Sequence, residues 1–177
     1  MADPKYSLPE NERRFLVESL DAIELDTHRC TRLRDVYIDG TRTRLRSATS
    51  ADGEVVYKLC KKYPTDDPYS GAMVNIYLTS SEYSVYSALP GTTITKRRYA
   101  VPVAGTAFSV NVFEDELAGL VLCVAEQPTR AEVSSLVFPP WATHEVTEDD
   151  FFTGGHLSRI SARELRQKLA SLAGQRQ

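Results

Sequence analysis

Period-two alternation runs through most of this chain and predicts strands. In Glu10–Val17 one face carries Glu10, Glu12, Arg14 and Leu16, and the other carries Asn11, Arg13, Phe15 and Val17. Such a strand puts charge where a soluble sheet usually has its core. It belongs either in a barrel with a polar lumen or in a solvated N-terminal segment. Further on, Thr27–Asp39 reads as extended, carrying Arg29, Arg32, Arg34, Val36 and Tyr37, and Asp39-Gly40 is a hairpin turn signal. Thr41–Ser47 sets Arg42, Arg44 and Arg46 against Thr43 and Leu45. After Asp52-Gly53, the return strand Glu54–Tyr63 sets Lys58, Cys60 and Lys62 against Tyr57 and Leu59. Pro64–Gly71 has loop composition, and Met73–Leu78 is extended. Thr93–Val101 and Thr106–Phe113 flank a Pro102–Gly105 turn, and Gly119–Gln127 is the most apolar strand.

Helices interrupt this pattern where the sequence supplies capping boxes. Thr79-Ser80-Ser81-Glu82 opens one that Pro90-Gly91 stops, and Thr129-Arg130-Ala131-Glu132 opens another that Pro139-Pro140 closes. Gly154-Gly155 reads as a break. Ser161-Ala162-Arg163-Glu164 starts a last helix, over 161–173, with Leu165, Leu169 and Leu172 on one side. Glu18–Leu25 is a loop or helical turn, and Asp115–Ala118 a turn or bulge. The expectation is one domain over 1–177, with 1–9 as an N-terminal arm. About eight strands in hairpin order with short helices make it α+β, dominated by an antiparallel sheet.

Charge changes the picture more than composition does. The 177 residues are 42% hydrophobic and 25% charged with a net charge of −3, ordinary values for a globular chain. The faces of the strands are not ordinary. Arg14, Arg42, Arg44, Arg46, Lys58, Lys62, Lys96 and Arg98 share the charged faces with only Glu10, Glu12 and Glu126, so eight cations against three carboxylates leave +5 there. A solvated face mixes its signs. A concave or closed sheet lined this way repels itself unless it holds a polyanion, and Arg and Lys suit phosphate oxygens. Carboxylates beside phosphate need a divalent cation between them, so triphosphate with Mg²⁺ or Mn²⁺ reconciles both sets.

Other chemistries are poorly supported. Cys30, Cys60 and Cys123 are widely spaced, and His28, His144 and His156 form no ligand-spaced pair with them, which argues against a disulfide scaffold and a zinc site. Cys60 has no His placed to activate it as a nucleophile. No apolar run reaches the ~20 residues of a membrane helix, and the net charge gives no whole-surface attraction to nucleic acid. A soluble, cytoplasmic protein with a small triphosphate or polyphosphate ligand is expected, without a membrane or nucleic-acid partner.

Six blocks in order carry a resemblance. Glu10-x-Glu12-x-Arg14 resembles the ExExK strand that opens the CYTH superfamily, the triphosphate tunnel metalloenzymes. Arg44-x-Arg46 is similar to its RxR strand, Leu59-Cys60-Lys61-Lys62 to its TxK, and Lys96-x-Arg98-Tyr99 to its KxRY. Asn111-Val112-Phe113 with Gly119-Leu120 and Glu126 resembles DVF…GL…ExE, and Pro139-Pro140-Trp141 with Glu145-Val146-Thr147 resembles PPW…EVT. The resemblance implies an eight-stranded antiparallel β-barrel whose charged lumen binds triphosphate and metal, in a family of triphosphatases and class IV adenylate cyclases.

Carried over by position, the resemblance assigns Arg14, Arg44, Arg46, Lys62, Lys96 and Arg98 to the substrate phosphates. Lys58 shares their face, as a phosphate ligand or a rim residue. Glu10, Glu12 and Glu126 become catalytic and metal ligands, with a salt bridge to a lumen Arg the rival role for Glu126. Glu145 joins as a further metal ligand or a structural residue. The departures fall on the acidic half. The family's RxExE strand lands on Tyr69, Gly71 and Met73, its DVF aspartate is Asn111, the first glutamate of ExE is Val124, and Cys60 stands for a threonine. Three glutamates provide for one divalent ion and poorly for two. The expectation is triphosphate binding with slow or no hydrolysis, the alternative being a non-catalytic polyphosphate- or nucleotide-binding protein. The lost acids count equally against adenylate cyclase activity, and no adenine-reading motif supports it.

Overall fold

The structure is a computed structural model that describes residues 4–25 and 29–174. The first three residues of the expected arm, and Thr27 and His28, lie outside the described residues. Eight antiparallel strands close into a barrel: β1 (Leu8–Leu16), β2 (Cys30–Ile38), β3 (Thr43–Thr49), β4 (Val55–Lys62), β5 (Ser70–Leu78), β6 (Gly91–Val103), β7 (Thr106–Phe113) and β8 (Val121–Gln127). The order is β5-β4-β3-β2-β6-β7-β8-β1, and β1 pairs back onto β5 to complete the ring. A two-residue strand β9 (His144–Glu145) pairs with the end of β1. Closure removes the sheet edges and leaves every barrel strand hydrogen-bonded on both sides.

Closure also explains where strand boundaries differ from expectation. β5 begins at Ser70, inside the expected Pro64–Gly71 loop, because Ser70 to Met73 pair with Asn11 to Leu8 of β1. The β6–β7 turn is only Ala104 (φ 48°) and Gly105 (φ 82°), with Pro102 still in the ladder opposite Ala107. Two residues of positive φ match the twist of a tight hairpin, so the expected Pro102–Gly105 turn is half as long.

All three capping boxes form, on α1 (Ser80–Ser87), α2 (Arg130–Ser134) and α4 (Ala162–Ala173). The second helix stops well before Pro139-Pro140, since the chain leaves it at Ser135 and the Leu136 carbonyl accepts from Arg13 Nη1 at 2.7 Å. Gly154-Gly155 is no break, for it starts the short helix α3 (Gly154–Leu157). A Cβ on Gly154 would lie 1.9 Å from the Tyr37 hydroxyl, so close packing of α3 on β2 is what requires glycine.

Because the lumen is polar, the apolar core lies elsewhere. Phe15, Val17, Phe108, Val110, Val121 and Cys123 point outward and are covered by the segment after β1 and by Leu136, Trp141 and Ala142. A second cluster closes one end of the barrel. Leu16, Ile94, Phe113 and Leu122 extend the charged face of their strands, and Phe152, Leu157 and Leu165 of the C-terminal segment pack over them. Opposite α2 the cover is thin. Ile76, on the outward face of β5, is 51% exposed, and α1 buries none of its own residues there. Among the described residues no helix is long and apolar enough to cross a membrane.

Candidate functional site

Direct cross-strand partners share a face, so the register tests the charged lining one pair at a time. Glu12 lies opposite Glu126, Arg46 opposite Lys58, Arg44 opposite Cys60 and Arg98 opposite Asn111. These residues line the lumen. Arg42 does not, since it precedes β3 and is exposed.

The acidic group is compact. Glu10, Glu12 and Glu126 each offer a carboxylate oxygen, and the three lie within 4.8 Å of one another. Lys62 is ion-paired with Glu10 and sits 3.8 Å from Glu12. Burial pushes the Glu12 carboxyl up, but Lys62, Arg14, Arg44 and Lys96 outweigh it and hold the group below its ordinary value. The opposite holds at Glu126, where desolvation and the neighbouring Glu10 and Glu12 raise the pKa. Three crowded carboxylates with one raised are suited to a cation, whose charge would relieve their repulsion.

The basic group surrounds a residue absent from the sequence-derived lining, Asp35. It is fully buried on the lumen face of β2, two positions from Leu33 and Tyr37. Arg46 donates to both its oxygens, Nε to Oδ1 at 2.6 Å and Nη2 to Oδ2 at 2.7 Å. Arg44 Nε and Lys96 Nζ lie farther off, at 3.8 and 3.7 Å. Burial raises the Asp35 pKa, but the Arg46 hydrogen bonds and the charges of Arg44, Arg46 and Lys96 carry it well below the usual carboxylate range. The balance goes the other way at Lys96. Burial, helped by Arg46, Arg98 and Arg44 and opposed by Asp35, brings its amine down to about 7. Burial and Arg46 likewise bring the Arg98 guanidinium down to about 10.

Each remaining arginine has a distinct support. Arg98 Nε donates to Asn111 Oδ1 at 2.9 Å, while the Asn111 amide donates to the Ser109 and Leu122 carbonyls. Arg14 donates its backbone N–H to Thr147 Oγ1 and its Nη2 to the Thr147 carbonyl, both within 2.9 Å. The Glu145-Val146-Thr147 segment thus anchors the base of β1. Among the described residues, Arg14 Nε and Arg44 Nε are buried without a hydrogen-bond partner. Unpaired guanidinium N–H groups inside a protein are costly, and both of these belong to the basic lining.

Glu145 and Lys58, each given two roles by the sequence, stand apart from these groups. Glu145 is not with the other glutamates; it lies on the outer side of β1, gripped by Arg13 Nε at 2.9 Å and Nη2 at 2.6 Å. Its pairing with Phe15 places it on the same outward face of the sheet, away from the lumen. Lys58 sits toward the rim, its ammonium 4.6 Å from the centre of the exposed Tyr77 ring. The missing acids are absent from the lumen itself: Gly71 stands opposite Glu10, and Val124 opposite Arg14. Asp35 had one visible signal, an acid on the apolar face of an alternating strand between Leu33 and Tyr37. Arg32 and Arg34, on the other face, are exposed.

No protein-family model and no curated protein matches the chain. Solved structures do. The inorganic triphosphatase NE1496 superposes with a TM-score of 0.56 over 85% of this chain and 95% of its own, at 23% identity. The protein PH1012 from Pyrococcus horikoshii gives 0.52 over 71% and 83%, at 15% identity. A candidate adenylate cyclase from Bacillus halodurans gives 0.50 over 84% and 100%, at 13% identity. Strand order and closure agree with this likeness, and the chain shares the closed, eight-stranded antiparallel barrel fold of these structures.

Proposed function

We propose that the lumen binds a small triphosphate or polyphosphate together with one divalent cation, Mg²⁺ or Mn²⁺, and hydrolyses it slowly. The observation that carries this reading is the adjacency of the Glu10, Glu12 and Glu126 cluster to a basic lining with two unpaired buried guanidinium N–H groups. Glu10, Glu12 and Glu126 would hold the cation, which supplies charge neutralisation and Lewis acidity at a phosphoryl oxygen. Arg14, Arg44, Arg98 and Lys96 hold and orient the phosphates, with Lys62 spanning the acidic and basic groups. In hydrolysis, water adds to the terminal phosphorus, the bond to the bridging oxygen breaks and orthophosphate leaves. Such transfers depend mainly on positioning and charge stabilisation, and NE1496, whose fold this chain shares, is an inorganic triphosphatase.

A non-catalytic binding protein is the second reading, favoured by one observation: Gly71, Val124 and Asn111 stand at lumen positions where the resemblance places acids. Phosphate release from tripolyphosphate with Mg²⁺ and Mn²⁺, paired with calorimetry, separates the two. Metal-dependent release supports hydrolysis, and tight binding without release supports the second reading. Neither binding nor a rise in melting temperature with tripolyphosphate refutes both.

A further inference from the structure

Asp35 sits where a phosphate oxygen pair would be expected. Its two carboxylate oxygens receive a bidentate fork from Arg46 and lie within 3.8 Å of Arg44 Nε and Lys96 Nζ, the geometry by which such side chains take an oxyanion. On the reading of the lumen as a phosphate site, we propose that Asp35 is a built-in anion occupying its inner phosphate position, a positioning residue that sets how tightly the lumen holds its ligand.

The contacts divide the lining into two groups. Arg46 spends Nε and Nη2 on Asp35 and is held at 12% side-chain exposure, so it serves the carboxylate. Arg44 and Lys96 are attracted to Asp35 but stand beyond hydrogen-bonding distance, and the Arg44 Nε–H has no partner among the described residues. Those two can turn to an incoming phosphate. The ligand therefore lies on the near side of Asp35, toward Arg14, Arg98 and Lys62, and competes with Asp35 for Arg44 and Lys96.

The position is also a dead end. Beyond it, Tyr37 packs against Gly154, and the barrel end is filled by Leu16, Phe113, Leu122 and Leu165. A phosphate chain advancing along the lumen meets a fixed negative charge before it meets the plug. Asp35 accordingly limits the number of phosphates the basic lining accepts, and short chains bind better than long ones.

The test is a double-mutant cycle on tripolyphosphate affinity, measured by calorimetry at pH 6 in metal-free buffer, with melting temperatures to confirm folding. Asp35→Asn keeps the shape and removes the charge, and is expected to tighten binding about tenfold or more. Arg46→Gln leaves the carboxylate to draw in Arg44 and Lys96, and should weaken binding at least tenfold. Combining Asp35→Asn with Arg46→Gln should restore affinity to within about threefold of the parent. A direct phosphate role for Arg46 predicts instead that the double variant stays as weak as Arg46→Gln, which overturns the proposal. So does an Asp35→Asn variant that folds and binds no more tightly. Binding by Asp35→Asn where the parent shows none supports the proposal in its strongest form. If no folded variant and no parent protein binds, the phosphate-site reading fails with it, whereas a binding parent with an unresponsive Asp35 leaves that reading standing.

Discussion

Lys96 offers a quantitative check on the electrostatics of the lumen. Its amine, brought down to about 7 by burial and the surrounding arginines, is only about one-tenth protonated at pH 8 in the free protein. A phosphate oxygen about 4 Å from the nitrogen contributes ~4 kcal/mol at an effective permittivity near 20. That energy corresponds to about 3 pKa units, enough to restore an ordinary lysine. Binding tripolyphosphate at pH 8 should therefore draw about 0.9 of a proton onto Lys96, and close to none at pH 5.5. Because the complex holds the extra proton, affinity should fall as pH rises above 7, by up to about tenfold per unit. Calorimetry in two buffers of different ionisation enthalpy reads the proton number directly. Lys96→Arg carries a permanent charge, so subtracting its proton number cancels the ligand's own protonation. A difference near zero at pH 8 would show that Lys96 is already charged in the free lumen and would refute the reasoning.

Three further outcomes are expected. Glu10→Gln combined with Glu12→Gln should abolish the additional rise in melting temperature that Mn²⁺ produces with tripolyphosphate, because only Glu126 of the compact cluster remains; an unchanged rise would place the cation elsewhere. Gly154→Ala should cost about 1–3 kcal/mol in denaturant unfolding, since its Cβ would meet the Tyr37 hydroxyl, and adding Tyr37→Phe should recover much of the loss. Leu165→Ala should cost roughly 2–5 kcal/mol, as it removes a fully buried side chain from the plug at the closed end, and a loss below 1 kcal/mol would mean that α4 is not integral to the barrel.

Much of the fold was legible because its signals are local. Alternation in β1, β3, β4 and β7 depends only on the pleat, and each capping box is complete within four residues, so these elements stand within about two residues of where the sequence places them. Glu10, Glu12, Arg44 and Arg46 could be assigned to one face for the same reason. The length of β5 was not legible, since Ser70, Gly71 and Ala72 become strand only by pairing with a segment some sixty residues earlier. The ion pair of Glu145 was also hidden, because its partner Arg13 is 132 residues away and reachable only once β9 docks on β1.

By itself, then, the sequence determined which residues share a face and that one face is too basic to be left without an anion. It could not determine which face of β2 turns inward, because an isolated strand has two faces and no inside. Tertiary pairing decided that: Asp35 against Arg46, and Lys96 two residues along β6 from Ile94, Asp35's partner on that strand. The same pairing turned a set of separate charges into a lumen in which one carboxylate already occupies part of the basic lining. Charge alternation is a property of the strand, while neutralisation depends on distance between strands, and distance exists only after the barrel closes.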